Sequence, residues 1–280
     1  MASSWWASGR SGPANGEARA GDTVSGEADP VDAVYAQPGA GVRFDWGLAG
    51  ASELGRVCAA LVVVDVLSFT TAVDVAVGRG MRVHPFPWSE QAVAYASRVG
   101  AVAAVGRTEV SPERPWSLSP AALRRAPGTP ELVLPSPNGS AICAAASATG
   151  LPVVAACLRN ARAVARWLLH QGYGTARAPV GVVAAGERWP DETLRPGVED
   201  LLGAASVLDG LAGVRGGLSV EAAVALAALN SVPDVAAAVR GCVSGRELAA
   251  RGFADDVEIA VERNASTVVP LLRGGVFSPA

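Results

Sequence analysis

Short β-branched runs alternate with alanine-rich stretches along most of this chain, from Val31 onward. The runs are bounded by loops that contain Pro, Gly, Asn or Ser, which is typical of strands followed by turns. Strands that alternate with helices build α/β domains, in which helices cover both faces of one sheet. The pattern therefore predicts a three-layer α/β/α fold with a largely parallel or mixed central sheet.

Four of the expected strand, loop and helix units carry polar residues in the loop after the strand. We expect strands at 61–66, 131–134, 153–156 and 180–184, followed by the loops SFTT, PSPNGS, CLRN and GERWPDETLRPG. We expect the helices at 71–77, from 139, at 161–171 and from about 198. Since doubly wound sheets bind ligands at the carboxyl ends of their strands, these loops are expected to converge on one cleft.

Residues 1–30 are rich in Ser, Gly, Ala and Glu and have no hydrophobic periodicity, so we expect a flexible tail there. Residues 31–280 contain no internal repeat and are expected to form a single α/β domain. The sequence has neither a charge-free apolar run of about twenty residues nor a basic head followed by an apolar segment. We therefore expect no membrane contact and a cytoplasmic location.

The composition excludes several chemistries. All 23 basic residues are Arg, so Schiff-base and P-loop lysine mechanisms are impossible. His84 and His170 are too few for a multi-histidine metal site, and the four Cys form no C-x-x-C pair. The net charge of -3 provides no basic face for nucleic acid. An anion site must therefore use Arg, backbone N–H groups and hydroxyls.

Three of the loops offer such donors at the start of a helix, where the helix dipole favours anions. The residues are Thr70, Thr71, Asn138, Gly139, Ser140, Arg159 and Asn160. Each has an ordinary alternative, because Thr often caps a helix, Asn-Gly is a common turn and a lone Arg is usually a surface residue. Together they favour a phosphorylated anion as ligand.

Carboxylates supply the complementary half of the candidate site. Asp65 lies in the apolar run LVVVDVL, where an acid is costly to bury unless it binds a metal, a donor or a substrate. Glu199 and Asp200 open the fourth helix, where acids also serve the helix dipole. Glu187 and Arg188 follow the fourth strand, and a solvated ion pair is the alternative there. Asp65 with Glu199 or Asp200 would give an oxygen-lined site suited to Mg²⁺.

These residues lie in six motifs that resemble, in order, those of the 2-phosphosulpholactate phosphatase family. The motifs are VVVDVLSFTTAV, VGRTEVSPERPWSLSP, LPSPNGSAICAA, VVAACLRNARAVA, VVAAGERWPDETLRPGVEDLLGA and SGRELAARGFADDVEIAVERNASTVVPLL. The resemblance covers about residues 31–272. It implies an Mg²⁺-dependent phosphohydrolase associated with coenzyme M biosynthesis, which converts 2-phosphosulpholactate and water to 3-sulpholactate and phosphate.

By matching position, the resemblance assigns functional roles to residues of four loops. They are Asp65, Thr70, Thr71, Asn138, Gly139, Ser140, Asn160, Glu199 and Asp200. Two departures fall where phosphate or sulfonate groups would be held: Ser68 stands where the family usually has Arg, and the loop GRTEVSPERPWSLSP differs from the family pattern. The resemblance thus leaves the substrate's identity open.

The mechanism expected from these assignments is hydrolysis of a phosphomonoester by an in-line water. Mg²⁺ is expected on Asp65, Glu199 and Asp200, with Glu187 as a further catalytic residue. Ser68, Arg188, the Thr pair, the Asn-Gly-Ser loop and Arg159-Asn160 are expected to hold the substrate. A small phosphorylated acid is the expected partner, and a homodimer is common for such domains.

Two alternatives compete with the phosphatase. A repurposed homologue could bind a small anion without turnover, which the Ser68 substitution favours. A nucleotide-binding Rossmann domain ranks low because no G-x-G-x-x-G follows the first strand. Asp255 and Asp256, further along the chain, are interpreted as a solvated turn.

Overall fold

The computed structural model describes residues 34–280, so the predicted tail over residues 1–30 lies outside the described residues. The strands are β1 (Val42–Trp46), β2 (Ala60–Val64), β3 (Arg82–Pro87), β4 (Val102–Ala103), β5 (Glu131–Ser136), β6 (Val153–Ala156), β7 (Val180–Ala184), β8 (Glu187–Arg188), β9 (Leu194–Arg195), β10 (Pro270–Arg273) and β11 (Val276–Pro279). The helices are α1 (Gly47–Gly55), α2 (Phe69–Gly78), α3 (Gln91–Val99), α4 (Pro120–Arg125), α5 (Gly139–Ala148), α6 (Ala161–His170), α7 (Val198–Leu211), α8 (Val220–Asn230), α9 (Val235–Gly241), α10 (Val243–Ala250) and α11 (Ala254–Ala260).

Nine of the strands form one mixed sheet with the order β1-β7-β2-β6-β10-β11-β3-β5-β4. The strands β1, β7, β2 and β6 are mutually parallel, as are β3, β5 and β4. Between these groups lies the antiparallel hairpin β10–β11, which pairs antiparallel with β6 on one side and with β3 on the other. The two parallel groups therefore run in opposite directions.

Strand β2 shows how the sheet is covered on both faces. All five of its residues are buried, and successive side chains point to opposite faces. Val62 and Val64 pack in a cluster with residues of α6 to α9 and α11, whereas Leu61 and Val63 pack with residues of α1, α2, α4 and α5. Burying each such side chain contributes about 1.5–3 kcal/mol. The predicted three-layer α/β/α architecture is confirmed.

The expected elements of the four units match the structure closely. The strands at 153–156 and 180–184 and the helix starts at 139, 161 and 198 agree with the observed bounds. The first strand ends at Val64, two residues earlier than expected, and α2 begins at Phe69. Asp65 therefore lies just past the end of the strand and not inside it.

The expectation that four loops share one carboxyl edge is wrong for β5, which runs opposite to β2, β6 and β7. Its loop nevertheless reaches the loop after β2, since the N–H of Gly139 donates to Asp65. Helices α2 and α5 share one apolar cluster with residues from both parallel groups. The starts of both helices meet at Asp65, which accepts the N–H of Phe69 and the N–H of Gly139.

The loop after β6 does not join the others, so the predicted convergence is also wrong there. The Asn160 side chain accepts from the N–H of Cys157 and donates to the carbonyl of Ala155, which closes its own turn. The Arg159 guanidinium is buried against Asp74, with Nε 2.8 Å from Oδ2, and it also pairs with Glu262. These contacts hold both side chains away from the loops after β2, β5 and β7.

Among residues 34–280, each helix taken alone is too short or too polar to cross a lipid bilayer. The helices α8 and α9 pass such a test only as a pair, and they meet at a bend of 95°.

Replacing Asp74 by Ala tests the structural role of this ion pair. The change leaves the Arg159 guanidinium buried without its main partner, which should lower the free energy of unfolding by about 3 kcal/mol. Urea denaturation monitored by circular dichroism measures this loss. The control is Asp209→Ala, at an exposed position on α7, which should change stability by less than about 0.5 kcal/mol. An effect of Asp74→Ala as small as the control's would contradict the assignment.

Candidate active site

Asp65 joins the starts of two helices. Its Oδ1 accepts the N–H of Phe69 at 3.1 Å, and its Oδ2 accepts the N–H of Gly139 at 3.0 Å. Phe69 begins α2 and Gly139 begins α5, so the carboxylate lies where both helix dipoles favour negative charge. The Thr70 hydroxyl closes the same turn, since it donates to the Asp65 carbonyl and accepts its N–H.

Gly139 is required by this close approach. A Cβ at this position would lie 2.7 Å from Oδ2 of Asp65 and closer still to the Phe69 ring. Only a residue without a side chain lets the start of α5 approach the carboxylate.

Asp200 connects the loops after β2 and β7. Its Oδ1 accepts the N–H of Val66 at 2.7 Å, and its Oδ2 accepts the N–H of Gly186 at 2.8 Å. The side chain is 3% exposed. Both carboxylate oxygens are thus engaged in holding the two loops together.

Two glutamates, Glu187 and Glu199, lie with Asp65 and Asp200 in one acidic group. Oε2 of Glu187 accepts from Nδ2 of Asn138 at 2.9 Å, which ties the loop after β7 to the loop after β5. Glu199 is buried at the start of α7, and its Oε2 accepts from the Cys242 thiol at 3.3 Å.

Burial and neighbouring charges raise the pKa values of Asp65, Glu187 and Asp200. Burial raises the pKa of Asp65 to about 6, and the nearby Glu199 charge adds to the rise while Arg107 opposes it. Burial, with the charges of Asp65 and Glu199, raises the pKa of Glu187 to about 7. Burial and the same two charges raise the pKa of Asp200 well above its usual range. The group therefore favours either a shared proton or a nearby cation.

A cleft of about 680 Å³ opens beside this group. Asp65 and Glu187 line it, together with four arginines from three separate segments: Arg107, Arg188, Arg195 and Arg251. Trp88 and Trp189 also line it, each about half exposed, and the Arg195 guanidinium lies 5.8 Å from the centre of the Trp189 ring. The cleft thus pairs carboxylates with arginines, which suits a small anion held next to a metal or a proton donor.

The predicted site residues fall into three groups in the structure. Those that line the cleft are Asp65, Ser68, Asn138, Glu187 and Arg188. Those that lie behind it, buried and bonded within the loops, are Thr70, Thr71, Gly139, Ser140, Glu199 and Asp200. Those that lie away from it, in the separate network described above, are Arg159 and Asn160.

The interpretation of Asp255 and Asp256 as a solvated turn is wrong for Asp256. Asp255 is exposed, but Asp256 is 1% exposed on α11. Its Oδ2 lies 3.1 Å from Nε of Arg107, which also donates through Nη2 to the Ser68 hydroxyl at 2.5 Å. Adjacent side chains on a helix point about 100° apart, so on α11 one acid can be buried while its neighbour is exposed.

Sequence reasoning also missed Arg107, Arg195 and Arg251 as cleft residues. Arg107 lies in the motif GRTEVSPERPWSLSP, Arg195 in the loop GERWPDETLRPG and Arg251 in the motif SGRELAARGFADDVEIAVERNASTVVPLL. All three therefore stand in segments that the family resemblance covers. Nothing in the local pattern distinguishes them from the other arginines of those segments.

A comparison with protein-family models finds that residues 50–275 match the model described as 2-phosphosulpholactate phosphatase. The chain belongs to this family. The match includes every residue of the cleft, and the family is one of phosphoric monoester hydrolases. The predicted family and the prediction of a phosphoric monoester hydrolase are confirmed.

The acidic group fits Mg²⁺ in its chemistry but does not form a cage of direct ligands. Among residues 34–280, no three His, Cys, Asp or Glu side chains are placed so that together they could hold a metal ion. Asp200, expected as a ligand, is buried and does not line the cleft. Mg²⁺ usually keeps several waters and binds proteins through one or two carboxylates plus substrate phosphate. Asp65, the buried carboxylate that lines the cleft, meets this requirement.

Gly139→Ala tests the contact between α5 and Asp65. The added Cβ should push the start of α5 away from the carboxylate. We expect this to lower the Tm and to lower the phosphatase activity at least several-fold. Differential scanning calorimetry and a phosphate-release assay measure the two effects. Gly213→Ala is the control, since a Cβ there meets nothing within 4 Å. Wild-type behaviour of Gly139→Ala would contradict the close approach.

The raised pKa of Glu187 predicts a pH-dependent stability. Its pKa is about 7 in the folded protein and near 4.5 when the chain is unfolded, so the folded state binds more protons between these values. Stability therefore falls as the pH rises through this window. We therefore expect that, between pH 5 and 8 in EDTA, the Tm of the wild type falls more than the Tm of Glu187→Gln. Each kcal/mol of unfolding free energy that the wild type loses through Glu187 should lower its Tm by ~2–4 °C. Glu192→Gln, at an exposed position, should keep the wild-type slope. Equal slopes for Glu187→Gln and wild type would contradict the prediction.

Proposed function

We propose that this protein hydrolyses a small phosphorylated hydroxy acid with the help of Mg²⁺, and that 2-phosphosulpholactate is its first candidate substrate. The observation that supports this most directly is the meeting of Asp65 and Glu187 with four arginines in one cleft. Membership of the phosphatase family supports the reaction type. Cleavage would give phosphate and the free hydroxy acid.

Asp65 is the residue that would hold Mg²⁺, with the buried Glu199 adding negative charge behind it. When bound, the ion neutralises the phosphoryl oxygens and so lowers the barrier to attack by water. Both Asp65 oxygens already accept a backbone N–H, which fixes the orientation of the carboxylate. Each oxygen keeps a second lone pair for a further ligand.

Glu187 would serve as the general acid or base. It lines the cleft, and Asn138 holds its Oε2 in place. Its pKa of about 7 lets it take a proton from water or give one to the leaving oxygen near neutral pH. Asp65, with its lower pKa, carries the negative charge more readily, which divides the two roles between the two acids.

The acid group at the far end of the substrate would meet arginines from the β8–β9 hairpin and Arg251, which follows α10. Nη2 of Arg195 lies 3.2 Å from the Ser244 hydroxyl, and its guanidinium contacts the face of Trp189. Arg251, the residue after the end of α10, pairs with Glu247 on that helix. A planar guanidinium can bind a carboxylate or a sulfonate through two parallel hydrogen bonds.

Phosphate release from the purified full chain tests the proposal, with 2-phosphosulpholactate and a panel of phosphorylated hydroxy acids as substrates. Release should require Mg²⁺ and should stop with EDTA. Asp65→Asn should lower kcat on the order of 100-fold or more, because the charge at the cleft is lost. Asp209→Asn, a surface carboxylate on α7, should keep wild-type activity.

Two outcomes would overturn the proposal. Undiminished turnover by folded Asp65→Asn, checked by circular dichroism, would remove Asp65 from the site. Binding of Mg²⁺ and inorganic phosphate by calorimetry, without turnover of any substrate in the panel, would identify instead a homologue that binds a small anion and does not catalyse.

A further inference from the structure

We propose that Arg107 binds the phosphoryl group of the substrate and that Asp256 is the positioning residue that holds Arg107 in place. The inference rests on the proposed function, since it assigns a ligand group within the same cleft. It adds a binding residue from the loop after β4 and a buried acid from α11, neither of which was selected from the sequence.

Arg107 is fixed from three sides. Its Nε donates to Oδ2 of Asp256 at 3.1 Å, and its Nη2 donates to the Ser68 hydroxyl at 2.5 Å. The guanidinium carbon lies 5.7 Å from the centre of the Phe253 ring, within the range of a cation–π contact. A long side chain held in this way loses little conformational entropy when a ligand binds.

The third nitrogen of the guanidinium remains available to a ligand. Within residues 34–280, Nη1 of Arg107 has no hydrogen-bond partner, although the side chain is only 19% exposed and lines the cleft. An oxyanion in the cleft would meet this nitrogen directly and could share Nη2 with Ser68.

The hydrogen bonds of Asp256 leave one of its carboxylate oxygens to a cation. Its Oδ1 accepts from the Ser119 hydroxyl at 2.5 Å and from the N–H of Ala121 at 3.1 Å, which leaves Oδ2 to Arg107. A carboxylate at 1% exposure is costly unless it is paired, and Arg107 is its one ion-pair partner among the described residues. The arrangement ties α4, α11 and the loop after β4 to one wall of the cleft.

The position of Arg107 favours the phosphoryl group over the far end of the substrate. Its partner Ser68 lies three residues after Asp65, and both Ser68 and Asp65 line the cleft together with Arg107. The other cleft arginines come from β8, from β9 and from the residue after α10, which are segments that do not include this turn. A dianionic phosphate placed beside Asp65 and Glu187 needs a fixed cation to offset their repulsion.

Binding of inorganic phosphate, measured by isothermal titration calorimetry with Mg²⁺ present, tests the role of Arg107. Arg107→Met should weaken phosphate binding at least about 10-fold and raise KM for the best substrate by a similar factor. Arg114→Met is the matched control, because Arg114 lies in the same loop, does not line the cleft, and pairs with the exposed Glu109 at 3.7 Å. It should leave both quantities unchanged.

A second variant keeps the test valid if Arg107→Met does not fold, since that change leaves Asp256 buried without its cation. Arg107→Lys keeps the charge, but an ammonium cannot bind Asp256, Ser68 and a ligand in the fixed geometry of a guanidinium. It should also weaken phosphate binding, by less than Arg107→Met does. Wild-type phosphate affinity in a folded Arg107 variant would overturn the proposal.

A double-mutant cycle tests the positioning role of Asp256. Asp256→Asn should weaken phosphate binding in the wild-type background, and this effect should disappear when Arg107 is already Met, because Asp256 acts only through Arg107. A purely structural role would give the same loss in both backgrounds. Asp255→Asn, at the exposed neighbouring position, should have no effect in either.

The outcomes separate this inference from the proposed function. If the wild type binds phosphate and releases it from a substrate, but Arg107 variants behave like wild type, only the role of Arg107 fails. If the wild type binds no phosphate and turns over no substrate, both proposals fail together. Additive losses in the double-mutant cycle would remove the positioning role of Asp256 alone.

Discussion

The site depends on one carboxylate that two helices share. Asp65 accepts the first N–H of α2 and the first N–H of α5, although these helices follow strands that run in opposite directions in the sheet. Charge-assisted hydrogen bonds of this kind are stronger than neutral ones, and they fix both helix starts relative to each other. Gly139 makes the approach possible, because any side chain there would collide with Asp65 and Phe69.

A second set of contacts closes the site around this centre. Asp200 ties the loop after β2 to the loop after β7, and Glu187 with Asn138 ties the loop after β7 to the loop after β5. Each of these contacts places another acid near Asp65. The Asp65 charge then adds to the rise that burial causes in the pKa of Glu187 and of Asp200. A site with acids this close is suited to binding a cation and to holding a proton near neutral pH.

Much of the fold and part of the site could be predicted from local patterns. The strands at 153–156 and 180–184 and three helix starts follow from β-branched runs and loop residues, which act over a few neighbours. Asp65, Asn138 and Glu187 line the cleft, and each stands in a polar loop directly after a strand. The roles expected for Arg159 and Asn160 follow the same logic, yet their side chains are engaged by partners distant in sequence or by their own turn.

The sequence by itself determined the α/β architecture, the family and the choice of Asp65 as a site residue, because periodicity and ordered motifs are local properties of the chain. Only the tertiary structure decided which polar residues meet. The hairpin β10–β11 separates two groups of strands that run in opposite directions, yet the start of α5 meets Asp65. Helix α11 brings Asp256 to Arg107 across 149 positions of sequence. Such contacts depend on how distant segments pack, and no short window of sequence contains that information.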